Sequence, residues 1–188
     1  MVNRSSRGCA HGGQPDSEQN NASHARQSIS YAVRVAQRHP PTEAEQQLAG
    51  FIARFSDDVA SLTQAILAKM RALYPTAVEM VYDNYNALAI GFGPTERPSQ
   101  AIFSIAVFPK WVSLFFLQAQ GLPDPDHILR GNGKRARHIR LPSAAIFDEF
   151  SVKNMMREAT ARATIPFAPD GAHRLIIKSI AAKQRPRR

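Results

Sequence analysis

One stretch, Ala101 to Leu117, constrains the fold more than any other part of the chain. It reads AIFSIAVF-PK-WVSLFFL, two long apolar strands meeting at a Pro109-Lys110 turn. The same two residues break the apolar run, so each half is far short of the roughly 20 residues a membrane-spanning helix needs. A strand hairpin this apolar has to be buried in a sheet, and its neighbours in sequence supply one. Val78 to Tyr82 alternates as a strand, Asp83-Asn84 reads as a tight turn, and Ala87 to Phe92 is the return strand. Gln100 to Phe108 and Trp111 to Leu117 follow, and Arg137 to Leu141 makes a fifth strand. The links among the first four are too short for parallel crossovers, so the sheet is expected to be antiparallel.

Helices flank this sheet on both sides in sequence. Thr42 is placed to cap the first, with Glu45 completing a capping box. Leu48, Phe51, Ile52 and Phe55 then recur at helical spacing. Ser56-Asp57-Asp58 opens a second helix whose stripe is Val59, Leu62, Ile66, Met70 and Leu73. A third follows Pro142-Ser143, with Val152, Met155, Met156 and Ala159 on one face and its end near Ala163. The expectation is an α+β domain over residues 42–163: an antiparallel sheet of about five strands packed against N-terminal and C-terminal helices.

The two ends of the chain lie outside that domain in this reading. Residues 1–41 are rich in Ser, Asn, Gln, Gly, His and Arg and hold only one short apolar run, Ile29 to Val33. Such a composition cannot offset the entropy of ordering, so a disordered leader is expected there. Residues 164–188 form an extension with an apolar run, Leu175 to Ile180, fit either to add an edge strand or to dock as a short tail. Its basic end, Lys183 to Arg188, is expected to be mobile over residues 181–188. The single cysteine, Cys9, excludes an intrachain disulfide and suits a reducing compartment, so a cytoplasmic location is expected.

Charge separates the two halves of the fold. Residues 42–128 carry five bases and nine acids, whereas residues 129–162 carry eight bases and three acids. The net charge of the whole chain is +9. Such asymmetry suits an anionic partner, or solubility alone.

Several short segments together resemble a known family. They are Val107 to Leu117, Leu122-Pro123-Asp124-Pro125, Gly131-Asn132-Gly133-Lys134 and Arg137 to Leu141. The chain resembles the YdhG-like "domain of unknown function" proteins, which are small and mainly bacterial. The likeness covers residues 45–162, and Ile177-Lys178-Ser179 with Lys183 to Arg187 looks like a subgroup. The resemblance implies an α+β domain with an antiparallel sheet packed against helices. One branch of the family is regarded as frataxin-like iron chaperones, whose binding relies on clustered surface acids. The acids in question here are Glu43, Glu45, Asp57 and Asp58, which already serve as helix-start residues.

No catalytic apparatus is recognisable. The six His residues sit in no known catalytic motif, and the chain has no HExxH, Walker A or GxGxxG sequence. A binding module without chemistry of its own, cofactor or metal is the expected class, taking a small anionic or metabolite-like ligand. The segment from Leu129 to His138 combines glycines with Lys134, Arg135 and Arg137, as an anion site does. It equally suits a turn whose bases protect a sheet edge. Alternation puts His138 and Arg140 on one side of their strand. Trp111, beside Lys110 and with Tyr82 and Tyr85 on the same sheet, is the candidate wall of a pocket. The ligand-binding set is therefore Lys110, Trp111, Lys134, Arg137, His138, Arg140, Tyr82 and Tyr85. Two other readings are a nucleic-acid-associated protein using the basic loop and tail, and an iron-delivery protein. No membrane association is expected.

Overall fold

The computed structural model describes residues 40–188. Nearly all of the expected leader, with Cys9, lies outside the described residues.

Helix α1 (Glu43–Ile52) starts where the capping box places it: the Thr42 hydroxyl accepts from Glu45 N–H, and Glu45 Oε2 accepts from Thr42 N–H at 2.7 Å. Helix α2 (Asp57–Leu73) follows a short turn, with Ser56 at its N-cap but making no side-chain cap bond. Helix α3 (Phe150–Ala161) buries Val152, Met155, Met156 and Ala159, the face read from the sequence. The α2 stripe is buried at Val59, Ile66 and Met70 but not at Leu73, which is 46% exposed at the helix end.

The strands are β1 (Val78–Asp83), β2 (Leu88–Gly93), β3 (Phe103–Phe108), β4 (Trp111–Phe116), β5 (Arg137–Leu141) and β6 (Arg174–Ile180). They form one sheet in the order β5-β4-β3-β2-β1-β6. From β1 to β5 every pairing is antiparallel. Strand β6 departs from the expected five-stranded antiparallel sheet. It pairs parallel with β1, making the sheet six-stranded and mixed. Its connection from β5 carries α3 between the two edges of the sheet, which is long enough to reverse the direction that short hairpins impose.

Strand alternation then sorts the sheet into two faces. Val81, Leu88, Ile90, Phe92, Phe103, Ile105, Val107, Val112, Leu114 and Phe116 join the helix residues in the main core. The hairpin of β3 and β4 lies at its centre, with Phe103 and Phe116 rings edge-to-face 5.6 Å apart. A smaller apolar cluster of Val78, Met80 and Ala101, flanked by Tyr82, Leu117 and Ile176, occupies the opposite face. No helix among the described residues is long and apolar enough to cross a membrane.

Topology decides where the C-terminal residues go. The β1–β2 and β3–β4 turns lie at one end of the sheet. Because β6 runs parallel with β1, it delivers the chain to that same end, with Ile180 opposite Asp83. Residues 181–188, expected to be mobile, are instead packed there: Ala181 N–H donates to Asp83 O and Arg185 N–H to Tyr85 O, each at 2.8 Å. Arg187 is buried, only 5% exposed.

Candidate functional site: a cationic cleft at one end of the sheet

Two turns and the C-terminal segment enclose a cleft of about 690 Å³. Its walls are Asn86 from the β1–β2 turn, Phe108 to Trp111 from the β3–β4 hairpin, and Arg185, Pro186 and Arg188. The size suits a small molecule. Lys110, Arg185 and Arg188 all line it, no carboxylate side chain does, and none of the three bases forms an ion pair with a carboxylate among the described residues. Arg188 also donates to Phe55 O at 3.1 Å and Ala53 O at 3.0 Å, which anchors its guanidinium at the α1–α2 turn.

Trp111 is 38% exposed and stands between two partners. The Phe108 ring, in register with it on β3, stacks at 5.0 Å between centroids. From β5 the Arg140 guanidinium lies 5.1 Å from the indole centroid. Stacking on an indole fixes the orientation of a guanidinium while leaving its edge N–H groups free to donate. Arg140 has no carboxylate partner among the described residues, so that edge is available to an anion.

Of the eight residues singled out in the sequence, Lys110 and Trp111 line the cleft, and Arg140 joins them through the indole. Tyr85 borders it only by its carbonyl, which accepts from Arg185 N–H, while its ring is exposed. Tyr82 faces the smaller apolar cluster. Burial raises its pKa, and its hydroxyl is buried without a hydrogen-bond partner among the described residues. His138 stacks on Phe115 at 4.8 Å. Burial, and then the nearby Arg130 charge, hold its pKa below the ordinary histidine value, which disfavours the charged ring. Arg137 lies on the side of β5 opposite to His138 and Arg140, and Lys134 is exposed in the preceding loop. The eight do not form a single site.

The glycine-rich loop serves the sheet edge. Arg130 and His138 exchange backbone hydrogen bonds at 2.7 and 3.0 Å, so the loop folds back onto β5. Gly133 is required by close approach, because a Cβ there would stand 2.5 Å from Ala136 O. A second cleft, of about 470 Å³, opens beside this edge between His127, Arg130, Arg140 and Glu149.

Sequence reasoning missed Asn86, Phe108 and Pro109 at the two turns and, from the C-terminal segment, Arg185, Pro186 and Arg188. The last three are the least legible. Local composition makes them a solvated basic end, and only the parallel pairing of β6 brings them beside Trp111. No group of three His, Cys, Asp or Glu side chains among the described residues is placed to hold a metal. The acids relevant to iron are placed otherwise: Glu45 closes the capping box, and Asp57 and Asp58 occupy the first turn of α2. Comparison of the chain with protein-family models, curated proteins and solved structures finds no match.

Proposed function

We propose that this chain is a YdhG-like binding module of the cytoplasm, without catalytic chemistry, that holds a small anionic ligand with a flat portion in the cleft beside Trp111. One observation carries the reading. Lys110, Arg185 and Arg188 converge on a cleft walled by Phe108, Trp111 and two prolines, with no Asp or Glu side chain lining it. A carboxylate or phosphate there gains charge-assisted hydrogen bonds. A flat ring gains apolar contact with Trp111 and the proline rings.

Trp111 is the one tryptophan of the chain, so tryptophan emission, excited at the red edge where the four tyrosines do not absorb, reports on this cleft. Titration with ADP, inorganic pyrophosphate and adenosine tests the reading. The anions are expected to change the emission and adenosine is not. The double variant Lys110→Gln, Arg185→Gln is expected to weaken ADP binding at least about tenfold, the scale of one lost charge-assisted bond. Equal response to all three compounds, or none, rejects the anion-binding cleft. Tight binding of a single-stranded oligonucleotide with a steep salt slope would assign the same cations to nucleic acid instead.

A further inference from the structure

We infer that Asp83, Arg54 and Arg187 are positioning residues for this cleft: their buried ion pairs dock the C-terminal segment and so place Arg185 and Pro186 beside Trp111. The inference rests on the proposed anion-binding cleft and concerns how it is assembled.

The argument begins with alternation on β1. Glu79, Val81 and Asp83 point toward the helices, so Asp83 enters the core side of the sheet, where it is 1% exposed. A carboxylate there needs cationic partners. Arg54, from the turn after α1, donates to Asp83 Oδ2 at 2.8 Å. Arg187 donates to Asp83 Oδ1 at 2.9 Å and to Asn84 O at 2.6 Å, with its guanidinium 5.2 Å from the centroid of the Phe55 ring. Arg54 also reaches Gln184 Oε1 at 3.4 Å. Every one of these contacts ends on the segment that carries Arg185 and Pro186 or on the strand it leans against. The side chains that meet the solvent in the cleft and the side chain that fixes the backbone therefore alternate along one short stretch: Arg185 and Pro186 line the cleft, Arg187 is buried, and Arg188 lines it again. Three of the eight residues that form the walls, Arg185, Pro186 and Arg188, lie within two positions of Arg187, so its docking bears on where they stand.

A role in stability alone predicts only a lower melting temperature. Positioning predicts in addition a change in the field at Trp111 while the chain is folded. Iodide, an anionic quencher, is drawn to a tryptophan beside cations, whereas neutral acrylamide is not. The ratio of their quenching constants in the full chain therefore reads the cationic wall directly. Arg185→Gln is expected to lower that ratio about twofold, on the scale of focused surface fields. Arg187→Gln, which leaves every charge lining the cleft in the sequence, is expected to lower it at least as much. Arg187→Lys is expected to recover most of the loss. If Arg185→Gln lowers the ratio and folded Arg187→Gln does not, the positioning role is wrong and the cationic cleft stands. If neither variant changes it, the cationic cleft itself is wrong. Should Arg187→Gln fail to fold, Arg54→Gln decides. Its side chain is partly exposed, and a smaller fall in the ratio is expected. An unchanged ratio in that variant overturns the inference.

Discussion

Strand β1 carries two buried carboxylates on its core side, and they are solved differently. Near its start, Glu79 receives a two-pronged hydrogen bond from Arg71 of α2, at 2.7 and 2.8 Å, and His173 Nε2 lies 2.9 Å from Glu79 Oε1. At its end, Asp83 is held between Arg54 and Arg187. In both, one partner comes from the helical layer and the other from the C-terminal segment. The two clamps therefore strap β6 and its flanks to β1 at both ends, and the parallel edge strand does not depend on its own ladder alone. They differ in how the partners meet water: only the Asp83 clamp, beside the 39%-exposed Arg54, has a partner shut off from it. Arg71 and His173 keep 36% and 26% of their side-chain surface. Arg187 keeps 4%. A partner that can rehydrate tolerates loss of its carboxylate better than one that cannot.

That difference gives the largest expected effect. Removing one member of a buried ion pair costs about 3–5 kcal/mol when the remaining charge stays buried. Asp83→Ala is expected to reach that range in urea unfolding. Glu79→Ala is expected to fall at about half of it, because Arg71 and His173 can turn to solvent. A larger loss at Glu79 than at Asp83 would show that solvent access does not set the order and would break the comparison.

The same clamps mark where sequence reasoning stops. Helical stripes and short hairpins follow from local period, and so Leu48, Phe51 and Ile52, the β3–β4 hairpin and the four-residue face of α3 were legible. The parallel pairing of β6 was not, because its partner β1 lies far back in the chain and no local period encodes which edge a strand reaches. Arg187 reads as a solvated charge among other bases, and Asp83 as a turn former. The one usable signal was alternation: Glu79 and Asp83 share a side with Val81, and acids on a core face call for cations from elsewhere. Of the candidate site, Lys110, Trp111 and Arg140 sit on elements whose position was readable, while Arg185, Pro186 and Arg188 depend on the crossover.

Acid sharpens the comparison with a smaller effect. Burial acts to raise the Glu79 carboxyl, but the Arg71 hydrogen bonds, then the His173 contact and both positive charges, outweigh it and hold its pKa below the ordinary value. The unfolded chain therefore takes up this proton first as pH falls. The stability Glu79 contributes is complete above the ordinary carboxylate range and is lost as pH falls through that range to the lowered folded value. Glu79→Gln is expected to be less stable than the parent chain near pH 7, with the gap narrowing between about pH 5 and pH 3. A gap that stays constant across that window would mean the carboxylate is not the group that the clamp stabilises.

A surface ion pair supplies the lower end of the scale. Arg174, at the start of β6, bonds Glu96 of the β2–β3 loop, and Lys178 Nζ lies 3.7 Å from the same carboxylate. These contacts also tie β6 to the sheet, and by count of partners they match the two buried clamps. Glu96 and Arg174 are nevertheless 45% and 59% exposed, so water competes with the pair and salt screens it. Glu96→Gln is expected to cost no more than about 1 kcal/mol, and less as salt is added. The buried clamps should be nearly indifferent to salt, since screening reaches them weakly. Measuring Asp83→Ala, Glu79→Ala and Glu96→Gln at low and high ionic strength therefore separates two explanations of how β6 is held. If Glu96→Gln costs as much as Asp83→Ala, the strand is strapped by partner number. If the costs fall in the order of burial, it is strapped by exclusion of water.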